Sequence, residues 1–108
     1  MSKYLLSKSY NGQYWWVLKA DNGQTLIKSE MYNYKLSCKT GIASSKSSIE
    51  DKNFKKYGST YNSYYFNQIA DNGQVLGTSE MYTTSSNRDA GIESVKACAQ
   101  KALIEENI

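Results

Sequence analysis

Four carboxylates recur in pairs: Asp21 with Glu30, and fifty positions later Asp71 with Glu80. Paired carboxylates do acid/base work when one of them is held protonated. No nucleophile accompanies either pair here, and nothing in the neighbouring sequence raises one pKa. A turn or capping role accounts for them better. Histidine is absent altogether, which removes the commonest general base and the commonest transition-metal ligand together. The alternating oxygen ligands of a calcium loop are missing, and neither GxGxxG nor a Walker pattern occurs. The residues therefore predict no catalytic group, no metal and no cofactor, and a protein that is not an enzyme.

Aromatic and basic residues give the stronger chemical signal. The chain holds ten tyrosines and two tryptophans in 108 residues. On an exposed sheet face, aromatics with interleaved lysines stack bases and hold phosphates, as single-strand binders do. Trp15, Lys19, Lys28 and Tyr65 are the residues this reading selects. The plainer account is that tyrosine fills strand positions with its hydroxyl in water. A formal charge of only +3 also weighs against a strong polyanion binder, because such affinity comes from several phosphate contacts. The charge is uneven: residues 1–54 hold eight lysines against four acids, and residues 55–108 hold five basic groups against six acids. An anion-facing role is thus expected mainly of the first half.

The elements that position these residues are written twice. Residues 20–32 read ADNGQTLIKSEMY and residues 70–82 read ADNGQVLGTSEMY, identical at ten of thirteen positions. Each copy begins with a strand, Lys3 to Ser9 and Asn53 to Tyr57. Asn11-Gly12 predicts a type I′ hairpin turn, whose central residues need positive φ; Gly58 to Asn62 is a looser counterpart. Tyr14 to Lys19 and Tyr64 to Ile69 carry the aromatic and branched residues that suit a pleated surface. The Asp-Asn-Gly turns at 21–23 and 71–73 lead into third strands at 25–29 and 75–79, and their geometry explains their composition. A helical stripe follows, through Cys38, Ile42, Ser45 and Ile49, repeated as Arg88, Ile92, Val95, Ala99 and Leu103. Asn33 and Thr83 or Thr84 are the expected N-caps. Gly41 and Gly91 inside the stripes predict a close approach of each helix to the sheet. Asp51 to Lys56 is read as the link between copies.

The expected fold is α+β: two tandem β-β-β-α repeats, residues 1–52 and 53–108, in one two-layer domain with a pseudo-twofold axis. Trp16 and Phe66 are the expected core beneath the helices, and Trp15, Tyr65 and Lys19 the opposite face. A fifty-residue unit is marginal alone, so the two copies share a core, as a monomeric pseudo-dimer. No stretch approaches the ~20 apolar residues of a membrane span, and the N-terminus shows no secretory pattern. The cytoplasm is the expected location, with Cys38 and Cys98 unbridged.

Trp16 with Lys19-Ala20 to Gln24, Ser29-Glu30-Met31-Tyr32 and Gly41-Ile42-Ala43-Ser44, together with Ala70 to Gln74, Ser79 to Tyr82 and Gly91 to Lys96, resemble the YegP-like family of small bacterial proteins. The resemblance covers nearly the whole chain. It implies tandem β-β-β-α units about a pseudo-twofold axis, single-copy relatives that pair as dimers, and no established activity or site residues. This chain departs from the pattern where Gln68 stands for Leu18 and Ser45 for Val95, so the halves are expected to pack unequally there. The reading overall is a small binding or interaction module. Its partner is a protein, or single-stranded nucleic acid on the aromatic-basic face.

Overall fold

A computed structural model describes residues 1–58 and 61–108. The strands are β1 (Lys3–Lys8), β2 (Tyr14–Lys19), β3 (Thr25–Ser29), β4 (Phe54–Gly58), β5 (Tyr64–Ile69), β6 (Val75–Ser79) and β7 (Leu103–Asn107). The helices are α1 (Lys35–Ser47) and α2 (Ser85–Cys98), and a 3-10 turn at Asp51–Asn53 precedes β4. All seven strands form one sheet in the order β4-β5-β6-β3-β2-β1-β7. The two copies meet where β3 pairs antiparallel with β6, and Lys28 lies directly opposite Thr78, its counterpart fifty residues on.

The hairpins differ in type from the expectation. Gly12, Gly23 and Gly73 have positive φ, but Asn11, Asn22 and Asn72 do not. Each loop has three residues: Gly23 N–H donates to Ala20 O and Ala20 N–H to Gln24 O, both at 2.9 Å. This is a type I turn closed by a left-handed residue. Asn22 Oδ1 accepts the Gln24 N–H at 2.9 Å, so the asparagine braces the turn with its side chain. Ser59 and Thr60, inside the connection read at 58–62, lie outside the described residues; Asn62 takes the left-handed place that Gly12 holds in the first copy, with φ 57°.

Leu18 pairs with Ile27 and Lys19 with Thr25, leaving Leu26 as a bulge, and Leu76 repeats it between Ile69 and Gln68. The bulge turns two consecutive residues inward: Leu26 and Ile27 are both buried. One apolar cluster draws on both copies, with Tyr4, Trp16, Phe54 and Phe66 at its centre. Tyr4 meets Trp16 edge-on at 5.2 Å, and Phe54 meets Phe66 edge-on at 5.9 Å.

Several sequence expectations need correction. Thr84 caps α2 by accepting the Asn87 N–H, but the α1 cap is Tyr34, with no side-chain bond. Asn33 instead accepts from Gln13 Nε2. Ile49 lies beyond the end of α1, and Leu103 belongs to a strand rather than to the helical stripe. That strand, β7, runs parallel to β1 and extends the sheet. Asp51 to Lys56 is the 3-10 turn and the start of β4 rather than a plain linker. Cys38 and Cys98 are free and buried, and burial pushes the Cys38 thiol up to about 11.

Candidate functional site

Alternation along β2 decides which face is open. Trp16 and Leu18 are buried beneath the helices, while Trp15, Val17 and Lys19 are half-exposed on the other side. The same alternation in β5 buries Phe66 and Gln68 and turns Tyr65, Asn67 and Ile69 outward. Both helices pack on the Trp16 face, and among the described residues nothing covers the opposite one. Cross-strand register places Val17 beside Lys28, Lys28 beside Thr78 and Thr78 beside Asn67. Trp15, Lys19, Lys28 and Tyr65 therefore share one face, as the sequence predicted, but not one pocket. With strands ~4.8 Å apart and ~3.4 Å per residue, Trp15 and Tyr65 lie roughly 20 Å apart on either side of Lys28.

Aromatic and basic groups are interleaved across that face. Lys28 Nζ sits 5.9 Å from the Trp15 ring, within cation–π range. Tyr57 stacks on Tyr65 at 4.8 Å and 11°, and Lys55 reaches over Tyr57 at 5.7 Å. Tyr57 and Lys55 were not selected from the sequence, although the pairing of β4 with β5 carries them there. Among the described residues, Lys19, Lys28 and Lys55 have no carboxylate partner. On the helix side several lysines are paired, Lys35 and Lys39 with Glu106, Lys56 with Asp89 and Lys96 with Asp51 and Glu93, while Lys8 lies over the Tyr14 ring.

The charge imbalance between halves does not carry through to the surface. β7 belongs to the second half in sequence, yet it lies on the first, where Glu105 meets Lys3 at 3.3 Å and Glu106 meets Lys39 at 2.9 Å. Two of the acids counted against the second half thus neutralise the first.

The repeated Ser-Glu-Met-Tyr segment is architectural. Ser29 Oγ accepts the Trp16 N–H at 2.9 Å and donates to Glu30 O at 2.8 Å, and Ser79 does the same for Phe66 and Glu80. The serine bridges the last rung of the ladder as the chain leaves the sheet. Tyr32 then returns to pair with Tyr14, and Tyr82 with Tyr64. A Cβ on Gly41 would fall on the Tyr32 hydroxyl, and one on Gly91 on that of Tyr82. The interior glycines do mark a close approach, made by a tyrosine slipped between helix and sheet. Asp21, Glu30, Asp71 and Glu80 are exposed, so neither carboxylate pair is enclosed with a partner. No grouping of three or more metal-ligating side chains occurs among the described residues.

Two shallow clefts, about 280 and 330 Å³, went unnoticed in the sequence. Tyr82, Gly91 and Ser94 of one copy face Gln24 and Leu26 of the other, and Tyr32, Gly41 and Ser44 face Gln74 and Leu76. These residues are the same in both copies, which was the signal that could have found them. Their shared tyrosines and glycines already serve the packing just described.

A family model described as "Domain of unknown function (DUF1508)" matches residues 9–55 and again 59–106. The UPF0339 protein YegP of Escherichia coli K12 is 43% identical over 63 residues, 57% of this chain and 57% of that one. The YegP protein of Yersinia pestis is 40% identical over 67 residues, covering 61% and 60%. Those alignments thus span less than two thirds of the relatives' length. The solution NMR structure of E. coli YegP, a protein of unknown function, matches with a TM-score of 0.91 at 39% identity, over 98% of this chain and 92% of that one. A UPF0339 protein of Shewanella oneidensis matches with a TM-score of 0.91 at 37% identity, over 97% and 90%. No helix among the described residues is long and apolar enough to cross a membrane.

Proposed function

The chain belongs to the DUF1508 family, which has no established function, and on that premise we propose that it is a non-enzymatic binding module working through the open face of its sheet. Single-stranded nucleic acid is the ligand class that suits this face best. The observation that carries the reading is the set of lysines without carboxylate partners, Lys19, Lys28 and Lys55, on the same uncovered surface as Trp15, Tyr57 and Tyr65. Aromatic rings stack bases of any sequence, and lysines between them meet phosphates. Trp15 and Tyr65 stand at opposite corners with Lys28 between them, so a strand of a few nucleotides would cross the centre of the sheet.

The domain reading supports a two-sided ligand surface. Residues 1–52 and 53–108 act as two repeats about a pseudo-twofold axis, a reading supported by the pairing of Lys28 with Thr78 and by the two family matches. The axis emerges in the middle of the open face. The two sides are unequal, because Lys19 faces Ile69 across the axis and Lys55 faces Leu5. The molecule works as a monomer carrying both sides.

Intrinsic tryptophan fluorescence tests the proposal, since Trp15 is on the open face and Trp16 is fully buried. Titration with a short oligothymidylate should quench saturably, with affinity falling as salt rises at a logarithmic slope of roughly −2 for three phosphate contacts. Trp15→Ala should abolish binding and leave the far-ultraviolet circular dichroism unchanged. A flat titration, or salt-independent binding, overturns the reading and leaves a protein partner in first place.

A further inference from the structure

The two ends of the sheet share a backbone plan, but among the described residues only one carries an added strand. Of the lysines that hold that strand only Lys46 has a basic counterpart, Lys96, here engaged by Asp51 and Glu93. At one end β7 lies along β1. Lys46 Nζ donates to Ala102 O at 2.7 Å, Lys35 and Lys39 hold Glu106, and Lys3 holds Glu105. The seat of β7 is thus the edge of β1 together with the flank of α1. Fifty residues on, the corresponding seat is the edge of β4 with the flank of α2. There β4 is the last strand of the sheet among the described residues. A cleft of about 340 Å³ lies along it, lined by Phe54 and Ile92 and by charges already paired with one another, Lys56 with Asp89 and Lys96 with Asp51 and Glu93. Phe54, Ile92 and Lys96 correspond to Tyr4, Ile42 and Lys46 of the occupied seat.

We propose that this vacant seat receives an extended segment of a partner protein, an apolar residue followed by a carboxylate, running parallel to β4. The occupied seat supplies the template. Ile104 pairs with Tyr4 on the helix side and Glu105 with Leu5 on the open side. At the vacant seat the helix-side position meets Phe54 and Ile92, which asks for an apolar side chain. The open-side position meets Lys55, which is exposed and has no carboxylate partner among the described residues, and that asks for an acid. The next helix-side position meets Lys56, already paired with Asp89 at 3.3 Å, and calls for a neutral residue. Arg88 donates to Tyr57 O at 3.1 Å and closes the seat beyond that point. Main-chain hydrogen bonds would supply the affinity and these side chains the choice of guest.

The same charges disfavour a second copy. Two β4 edges brought together would oppose Lys55 and Lys56 with their own kind, a device that keeps edge strands apart. The C-terminal strand of another copy would bring Glu106 to Asp89, which stands where its own seat has Lys39.

The probe is a peptide of residues 101–108 carrying Glu106→Thr, titrated into the full-length, ¹⁵N-labelled protein. Amide shifts should saturate and be confined to Phe54–Lys56 and the facing side of α2. Lys55→Glu should weaken binding roughly fivefold, and a peptide that also carries Glu105→Lys should restore it to that variant. Both changes are on exposed side chains, so circular dichroism should show the fold intact. Absence of shifts overturns the proposal and makes the lysines guards of the edge. Shifts at β1, showing exchange with the resident β7, overturn it too, as does concentration-dependent broadening without peptide.

Discussion

Two corners of the core, made of residues fifty positions apart, solve one packing problem in opposite ways. In one, Leu18, Phe54 and Val95 are apolar and buried. In the other, the corresponding Gln68, Tyr4 and Ser45 form a buried network. Ser45 Oγ donates to Gln68 Oε1 at 2.6 Å and lies 2.8 Å from the Tyr4 hydroxyl. Gln68 Nε2 donates to Ser45 O and Ser48 O, each at 2.9 Å. Those carbonyls belong to the end of α1, where the last turn of a helix leaves acceptors under-used; among the described residues Ser45 O otherwise accepts only the Ser48 N–H, at 3.3 Å. α2 runs one residue longer and Ala99 after it stays helical, so Leu18 faces no such ends. The departures at Gln68, Ser45 and Tyr4 are one coordinated change, and what they do is cap a shorter helix from the sheet.

Breaking the network at its centre should have the largest effect. Gln68→Leu copies the apolar corner but leaves Ser48 O without its donor, Ser45 O with only the Ser48 N–H at 3.3 Å, and Ser45 Oγ with only the Tyr4 hydroxyl, for a loss of about 2 kcal/mol. Adding Ser45→Val and Tyr4→Phe replaces the remaining hydroxyl pair with the apolar groups of the other corner and should recover about half of that. The share not recovered measures the capping of α1. Urea denaturation reads both values; a neutral Gln68→Leu would mean that the network contributes nothing.

The glycines compare the two helix contacts next. Gly41→Ala and Gly91→Ala should each cost about 2 kcal/mol by overpacking, because the new methyl lands on Tyr32 or Tyr82. Gly41→Ala should be the worse of the two, since the Trp16 indole crowds that site where Phe66 lines the other. Equal denaturation midpoints would show that the indole yields freely.

These two contrasts also show how far the chain could be read before its structure. Repetition and alternation revealed the first six strands, the outward set Trp15, Lys19, Lys28 and Tyr65, and the buried pair Trp16 and Phe66, because each depends on local period alone. Gln68 and Ser45 stood out as departures, but their partnership could not be read, since a contact between α1 and β5 depends on how the copies dock. β7 was missed for a related reason. Its residues Leu-Ile-Glu-Glu-Asn extend a helical pattern, and only pairing with the distant β1 makes them a strand. With β7 misplaced, Glu105 and Glu106, which pair with Lys3 and with Lys35 and Lys39, were assigned to the wrong end of the molecule.

A smaller contrast lies beneath the helices. Among the described residues the Tyr82 hydroxyl is buried without a partner, and the Trp16 indole N–H lies beside the Tyr32 hydroxyl without a well-formed bond to it. Burial raises the pKa of both tyrosines, and the indole partly offsets this for Tyr32 alone. Tyr82→Phe should therefore leave stability unchanged or slightly higher, while Tyr32→Phe should cost about 0.5–1 kcal/mol. The reverse ranking would place the useful hydroxyl in the second copy.

The least effect, and the most local, is expected where the two sheet edges differ. Glu106 ties β7 to α1, and its hydrogen bonds to Lys35 and then Lys39 hold its carboxyl below the ordinary carboxylate range. A carboxylate depressed in the folded state stabilises above its unfolded pKa, and that contribution is lost as pH falls through the folded value. Acid should therefore loosen β7 while the rest of the sheet holds. Between about pH 6 and about pH 3, hydrogen-exchange protection, corrected for intrinsic rates, should fall along β7 and the facing edge of β1. At the opposite end Asp51, through Lys96, and Asp89, against its desolvation through Arg88 and Lys56, are also held below the ordinary range. Among the described residues they fasten no added strand, and the β4 amides paired with β5 should keep their protection. Glu106→Gln should remove the pH dependence by giving β7 its looser state throughout. If β7 keeps the same protection at both pH values in the native chain, the strand is held by its backbone pairing with β1. The lysines of α1 would then choose which edge it occupies without fastening it there.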